Sequence, residues 1–263
     1  MFNYIFMQKA LAVGLMIALI APLIGQVVVL KRMAMVPDAI AHTTLSGVAI
    51  GLILNLNPLL TAIVLAVAGL LLVDVLRKYL PAYAEIAISL LMSLGIGVAG
   101  ILSSFIQDAN RFNAFLFGSI VAIEDTELYL IIGITALVIL LFILFYKELF
   151  AITFDETMAK HSGIKVNLVN FIFMLMMGLT LSIASKTVGT LIVSSLVVLP
   201  VASSLHFAKS YKSTLINAIL ISLVTMMIGL TLSFYQGIKP GGAVVIVAVI
   251  FYIITLSLNR KKI

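Results

Sequence analysis

Apolar residues run along this chain in long blocks, not in the alternation of a half-buried strand or the single stripe of a soluble helix. About nine blocks stand out, near residues 10–30, 38–55, 58–76, 84–106, 128–146, 166–184, 187–207, 213–235 and 241–258. Most approach the roughly 20 residues with which an α-helix crosses a hydrocarbon core about 30 Å thick. Turn or charge signals separate them: Lys31-Arg32, Asn57-Pro58, Arg77-Lys78 with Pro81, Lys186, Lys209 to Lys212, and Lys239-Pro240-Gly241-Gly242. The block over 38–55 is the least apolar, because Asp38, His42, Thr43, Thr44 and Ser46 lie along it. The pattern predicts an all-α, polytopic integral membrane protein of about nine (eight to nine) transmembrane helices. Residues 1–263 then form one transmembrane domain, with no room for a separate soluble one.

Two connections exceed simple turns. Residues 107–127 contain the apolar stretch Phe112 to Ile123, too short to span, which predicts a re-entrant or interfacial helix. Residues 147–165 (KELFAITFDETMAKHSGIK) form a second long loop. Within it, Phe154 to Ala159 reads as a short amphipathic helix ended by Gly163. The start, Met1 to Lys9, is weakly basic and the block after it is long for a signal peptide, so the first helix is expected to be retained.

Composition sharpens the picture. The chain is 63% hydrophobic and 10% charged, against roughly 45–50% and 25% in soluble domains. Cysteine is absent, which excludes disulfides, thiolate metal sites and cysteine nucleophiles. The charge of +6 sits in short clusters between apolar blocks, as orientation signals do. With the N-terminus outside and the C-terminus cytoplasmic, the cytoplasmic loops hold Lys31, Arg32, Arg77, Lys78, Lys147, Lys160, Lys165, Lys209, Lys212, Arg260, Lys261 and Lys262. Those are 12 of the 16 basic residues. That bias follows the positive-inside rule and makes 147–165 a cytoplasmic loop.

Candidate chemistry is sparse. No GxxxxGK[ST] loop, HExxH or GxSxG occurs, so the chain carries no P-loop ATPase or familiar hydrolase signature of its own. Ionisable residues inside a membrane are costly, and each invites a functional hypothesis. Asp38 and His42, four residues apart, share one helix face. Carboxylate oxygen plus imidazole nitrogen is a half-site for a divalent transition metal. Alternatively, Asp38 caps the helix at a membrane boundary and His42 hydrogen-bonds a neighbouring helix. The charge map places Asp38 nearer the cytoplasmic face than the midplane. Asp74 with Arg77 and Lys78 reads as a snorkelling ion pair, and Glu85 as a helix-dipole residue. Asp108, Glu124, Asp125 and Glu127 read as solvated loop charges that give the outer loop an acidic surface. His161 is expected to be solvated and His206 to make a polar helix contact. Gly47 and Gly51, with Gly95, Gly97 and Gly100, favour close helix packing; those of the fourth block also suit helix movement.

Four stretches, in order, resemble the membrane permeases of ATP-binding-cassette importers for zinc and manganese. They are Lys31-Arg32-Met33 with Asp38-x3-His42 and Gly47-Val48-Ala49; Phe115-Leu116-Phe117-Gly118-Ser119-Ile120; Phe154-Asp155-Glu156-x-Met158-Ala159-x3-Gly163-Ile164; and Val188-Gly189-Thr190-Leu191-Ile192-Val193 with Leu199-Pro200-Val201-Ala202. Together they cover nearly the whole chain. Residue 37 is proline where the family often has a small or flexible residue, which bears on where the second helix starts. The resemblance implies a type II-like importer fold in the cell membrane and a homodimer of this permease. It further implies two copies of a separate cytoplasmic ATPase and an extracytoplasmic metal-binding protein. It makes Asp38 and His42 the pathway ligands for transported Zn2+ or Mn2+, with no permanently bound cofactor. It makes Phe154, Asp155, Glu156, Met158, Ala159 and Gly163 the coupling element that receives the ATPase. The stretch from Asp38 to Gly51 looks more like zinc members than manganese members. A proton-coupled secondary transporter of a small solute or ion is the alternative, but the spans hold few acidic residues for a proton relay.

Overall fold

The computed structural model describes residues 4–79, 83–119, 125–190 and 192–259. Among these residues there is no strand. Twelve helices follow one another: α1 (Ile5–Leu30), α2 (Val36–Ile53), α3 (Pro58–Tyr79), α4 (Ala84–Ser103), α5 (Ala109–Phe117), α6 (Asp125–Leu144), α7 (Tyr146–Phe154), α8 (Glu156–His161), α9 (Val166–Thr187), α10 (Val193–Leu205), α11 (Tyr211–Gln236) and α12 (Pro240–Asn259). Eight of them are long and apolar enough to cross a membrane: α1, α2, α3, α4, α6, α9, α11 and α12. The expected integral membrane protein is therefore what folds.

The block expected over 187–207 differs from its sequence reading. Its helix is only α10, 13 residues and about 20 Å long, and the described residues between α9 and α10 are non-helical. Gly189, at φ 102, explains the break, because such a backbone angle is strained for any residue with a β-carbon. Lys186, read as a loop residue, lies inside α9. The passage from one end of the bundle to the other is nonetheless completed by the unwound segment and α10 together. Tyr4 packs on Phe234 near the end of α11. At the other end, Tyr211 opens α11 beside Phe150 and Phe154. Gly229 meets Val244 where α11 and α12 run antiparallel, so Tyr4 and Asn259 lie at opposite ends.

The core is centred on α1 and α9, with α1 packed against α6, α9, α10 and α11. Such burial inside a membrane bundle reflects helix packing rather than escape from water. Helix α2 is the other enclosed element, held by α3, α4, α9 and α10. The GxxxG pair lets this happen: a β-carbon at Gly47 would lie 2.7 Å from the Thr61 carbonyl oxygen, and one at Gly51 would lie 2.8 Å from the Pro58 α-carbon. In α4 the glycines divide. A β-carbon at Gly95 would strike the Thr43 nitrogen at 2.8 Å, whereas Gly97 and Gly100 face open space.

The amphipathic helix expected from Phe154 begins later. Phe154 ends α7, Asp155 breaks the chain in an extended conformation, and α8 starts at Glu156. The short helix expected there is the nine-residue α5, whose start is capped by Asp108 accepting from the Asn110 and Arg111 amides, both at 3.1 Å. Gly118 and Ser119 are already non-helical; residues 120–123 lie outside the described residues, as do Pro81, Glu124, Leu191 and Arg260 to Lys262.

Candidate functional site

Helix α2 opens with Val36 and Pro37 in its first turn, where proline's missing N–H costs nothing and its fixed φ suits the helix. Asp38 follows in that turn and makes no capping bond: the N-cap position is Met35. The capping alternative for Asp38 is therefore not realised. Its negative charge still lies at the helix end where backbone N–H groups favour an anion.

Between residues 36 and 49 every residue is buried except Asp38 and His42. A helix enclosed on nearly all sides thus leaves one narrow stripe open, and the carboxylate and imidazole occupy it one turn apart. Across the stripe stands α10, whose Ser194 hydroxyl donates to Asp38 Oδ1 at 3.4 Å. One turn beyond His42, the Ser46 hydroxyl donates to the Gly95 carbonyl at 2.7 Å, tying α2 to α4 at this level.

The depth of the pair also differs from the charge map. Thr43, next to His42, packs on Gly69, the middle of the 22-residue α3. The His42–Thr43 backbone packs on Gly95 in α4. Helix α2 is therefore displaced toward the centre of the bundle, and its first turns sit near mid-height of their neighbours. Among the described residues no group of three or more His, Cys, Asp or Glu is placed to hold a metal ion. One chain offers a carboxylate and an imidazole one turn apart, with a hydroxyl beside the carboxylate.

Toward the Tyr4 end, two of the motif stretches lock together. The Thr190 amide donates to the Phe115 carbonyl at 2.8 Å. Gly118, at φ 77, approaches the Thr187 carbonyl so closely that a β-carbon would lie 2.5 Å from it, and Gly189 approaches Phe117 equally closely. The Lys239 ammonium lies 3.4 Å from the centre of the Phe117 ring. Lys186 pairs with Glu127; at 6% and 5% exposure both are buried, so Glu127 is not the solvated loop charge expected. Asp125 is exposed and pairs with Lys9 at 2.5 Å.

At the opposite end the predicted coupling residues gather around α8. Asp155 Oδ1 accepts from the Thr157 and Met158 amides at 2.8 and 2.9 Å. Ala159 is buried, while Phe154 and Met158 are 64% and 69% exposed. They flank a helix break instead of sharing one helix face. Gly163, at φ 83, ends the element, with the Ile164 amide donating back to the Ala159 carbonyl at 3.1 Å. A helix this short owes much to its cap, worth about 1 kcal/mol. Asp155→Ala should speed amide exchange at Thr157 and Met158 roughly fivefold, measured by hydrogen–deuterium exchange; unchanged rates would show that the cap does not hold α8.

Sequence reasoning missed what fastens α8. Glu156 Oε1 accepts from Lys31 Nζ at 2.6 Å and from Asn170 Nδ2 at 3.4 Å. Lys31 Nζ also donates to Asn170 Oδ1 at 3.3 Å. Partial burial pushes the Glu156 carboxyl up, but Lys31 by hydrogen bond and charge, then Asn170 and the more distant Arg77, together hold it below its ordinary value of 4.5. The ion pair therefore contributes fully at neutral pH and is lost only as pH falls through that lowered value. Lys31 reads in the sequence as an orientation charge, and nothing local marks its partner 125 residues away. The same end holds a cavity of about 240 Å³ lined by Lys31, Met33, Asp74, Arg77, Glu156 and Asn170, among others. Arg77 Nη1 lies 3.1 Å from the Met33 sulfur. Glu85 lies in the first turn of α4, as expected. His161 is exposed, and His206 packs its ring against Tyr252 with Nε2 buried and unbonded.

Comparisons with known proteins agree along the full length. Residues 3–259 match the family described as the ABC 3 transport family. A Treponema pallidum protein named a probable metal transport system membrane protein is 30% identical over 261 residues, covering 99% of this chain and 98% of its own. The high-affinity zinc uptake system membrane protein ZnuB of Haemophilus influenzae is 31% identical over 270 residues, covering 99% and 100%. In the solved structure of PsaBC from Streptococcus pneumoniae in complex with Fab, one chain superposes with a TM-score of 0.87 at 27% identity, over 96% of this chain and 91% of that one. The chain belongs to the ABC 3 transport family, as one of its membrane permeases.

Proposed function

We propose that this chain is the transmembrane permease of an ATP-driven importer of divalent transition-metal ions, with zinc the favoured cargo and manganese next. The observation that carries the reading is the open stripe on α2, where Asp38 and His42 alone escape burial between residues 36 and 49. A conduit must replace part of an ion's hydration shell yet release the ion again. Two ligands from one chain suit that, whereas a closed four-ligand site holds zinc structurally. A second copy of the chain would bring a second carboxylate and imidazole to the same axis. Mixed oxygen and nitrogen donors accept both metals, and relatives are named for both: the Haemophilus protein for zinc, and MntC of Listeria monocytogenes, 29% identical over 260 residues, for manganese. The stretch from Asp38 to Gly51, which resembles zinc members more than manganese members, is what favours zinc.

The bundle end carrying Lys31, Arg77 and α8 is the cytoplasmic one by the positive-inside rule, which leaves the N-terminus outside. Phe154 and Met158 project from either side of the Asp155 break and fit a groove on an ATPase subunit; two copies of that subunit serve the dimer. The Phe115–Gly118 and Thr187–Thr190 lock then lies on the side where an extracytoplasmic binding protein delivers the ion. Proteoliposomes holding the permease with its ATPase, with the metal-loaded binding protein outside, should take up Zn2+ when ATP is enclosed within them and ignore collapse of the proton gradient. Uptake that follows the gradient and persists without ATP would instead establish a secondary transporter.

A further inference from the structure

The ion site and the proposed ATPase dock lie on different elements, and transport requires that one feel the other. A short path between them runs from Asp38 back through the turn between α1 and α2 to Lys31, and from the Lys31 ammonium across a non-covalent bond to Glu156 on α8. That turn is stiff: the Lys31 amide donates to the Val27 carbonyl at 2.9 Å, Arg32 to Val29 at 3.1 Å and Met33 to Val28 at 2.8 Å. Arg32 takes the left-handed conformation, φ 57, and the Val36 amide then donates to the Met33 carbonyl at 3.0 Å. Between Lys31 and Asp38 four amides, those of Lys31, Arg32, Met33 and Val36, are thus held within the turn, so a displacement at Lys31 moves the start of α2. Lys31 is also the side chain that reaches α8, joining Glu156 and Asn170 in a closed triangle of contacts from 2.6 to 3.4 Å. The cavity beside this triangle leaves the α1–α2 turn room to shift against α3 and α9.

We propose that Lys31 is a positioning residue of the transport cycle: through its bond to Glu156 it carries movement of α8 into the α1–α2 turn and so into the Asp38/His42 stripe. This rests on reading α8 as the ATPase dock and the stripe as the ion path. Glu156 is half exposed and the Lys31 side chain 13% exposed, so the pair sits at the edge of the protein interior, where it can part and re-form as a link between two moving elements must. Two-site coupling of this type is typically worth 5- to 150-fold.

The test uses the permease–ATPase complex in proteoliposomes, with radiolabelled Zn2+ delivered by the binding protein, and reads ions imported per ATP hydrolysed. Lys31→Gln should keep its bound ATPase and its rate of ATP hydrolysis, yet lose at least about fivefold in ions per ATP. Lys31→Arg should retain the ratio. A wild-type ratio in Lys31→Gln overturns the proposal. So does a loss in Lys31→Arg as large as that in Lys31→Gln, or loss of the ATPase from Lys31→Gln, which would make the triangle part of the dock. Wild-type complex that imports nothing with ATP overturns the underlying transport reading, and is seen before any variant is compared.

Discussion

Asp38→Ala and His42→Ala should each reduce metal uptake at least about a hundredfold, while the variant chains insert, fold and bind their ATPase as wild type does. The size follows from what a ligand does. Groups that merely orient a metal ligand cost about 10- to 100-fold when removed, and a ligand itself costs no less. The folding half of the expectation follows from the surroundings. Neither side chain caps α2, neither is buried, and the bond across the stripe, Ser194 to Asp38, is long at 3.4 Å. Replacing them by alanine leaves no buried hole and spares the Ser46–Gly95 tie. Uptake is read with Zn2+ and again with Mn2+, and folding by thermal unfolding in detergent. Wild-type uptake in both variants would remove the stripe from the mechanism; equal loss of uptake and folding would make it structural.

The second large effect is expected at Gly25, where α1 crosses α10. A β-carbon there would lie 2.1 Å from the Val197 carbonyl oxygen and 3.2 Å from Val201 Cγ2. The first contact is with backbone, so no side-chain rotation relieves it and the two helices must separate. Overpacking typically costs about 1–3 kcal/mol and occasionally more, and this approach is close enough to reach the upper end. Gly25→Ala should lower thermal stability sharply and loosen Ser194, which rides on α10. Gly100→Ala is the matched control: that glycine is also helical, but a β-carbon on it meets nothing within 4 Å. Alanine should be neutral there or slightly stabilising, since it is the better helix former by about 1 kcal/mol. Equal melting temperatures for the two variants would show that the α1–α10 crossing is looser than its geometry.

The difference between these glycines marks the limit of what the sequence reveals. Block length and charge alone disclose the membrane class, the bulk of the helix boundaries and the bias in basic residues, because a bilayer imposes one period and one length on every span. The Asp38/His42 pairing is legible for a similar reason: four residues on a helix always bring two side chains to one face. What depends on tertiary placement is not legible. Gly25, Gly95 and Gly100 look alike in sequence, yet only the first two press on a neighbouring helix. Lys186 and Glu127 look like loop charges but neutralise each other in the interior. The 187–207 block is mostly apolar, so hydropathy cannot show that its start is unwound; Gly189 and the paired Gly118 are the signal that was there to read. Ser194 and the Lys31–Glu156 link join positions 156 and 125 residues apart, and no periodicity within one helix reports such a contact. Even the depth of Asp38 follows from α3 and α4 pressing on α2, not from its distance to the nearest lysine.

The most direct measurement is total zinc, manganese and iron, by mass spectrometry, in cells lacking this gene and grown under metal limitation, then restored with wild type or with His42→Ala. The expected result is that zinc, or failing that manganese, falls on deletion, returns with wild type and stays low with His42→Ala. Unchanged content of all three metals on deletion would contradict metal import by this chain, and recovery with His42→Ala equal to wild type would contradict the place assigned to the α2 stripe.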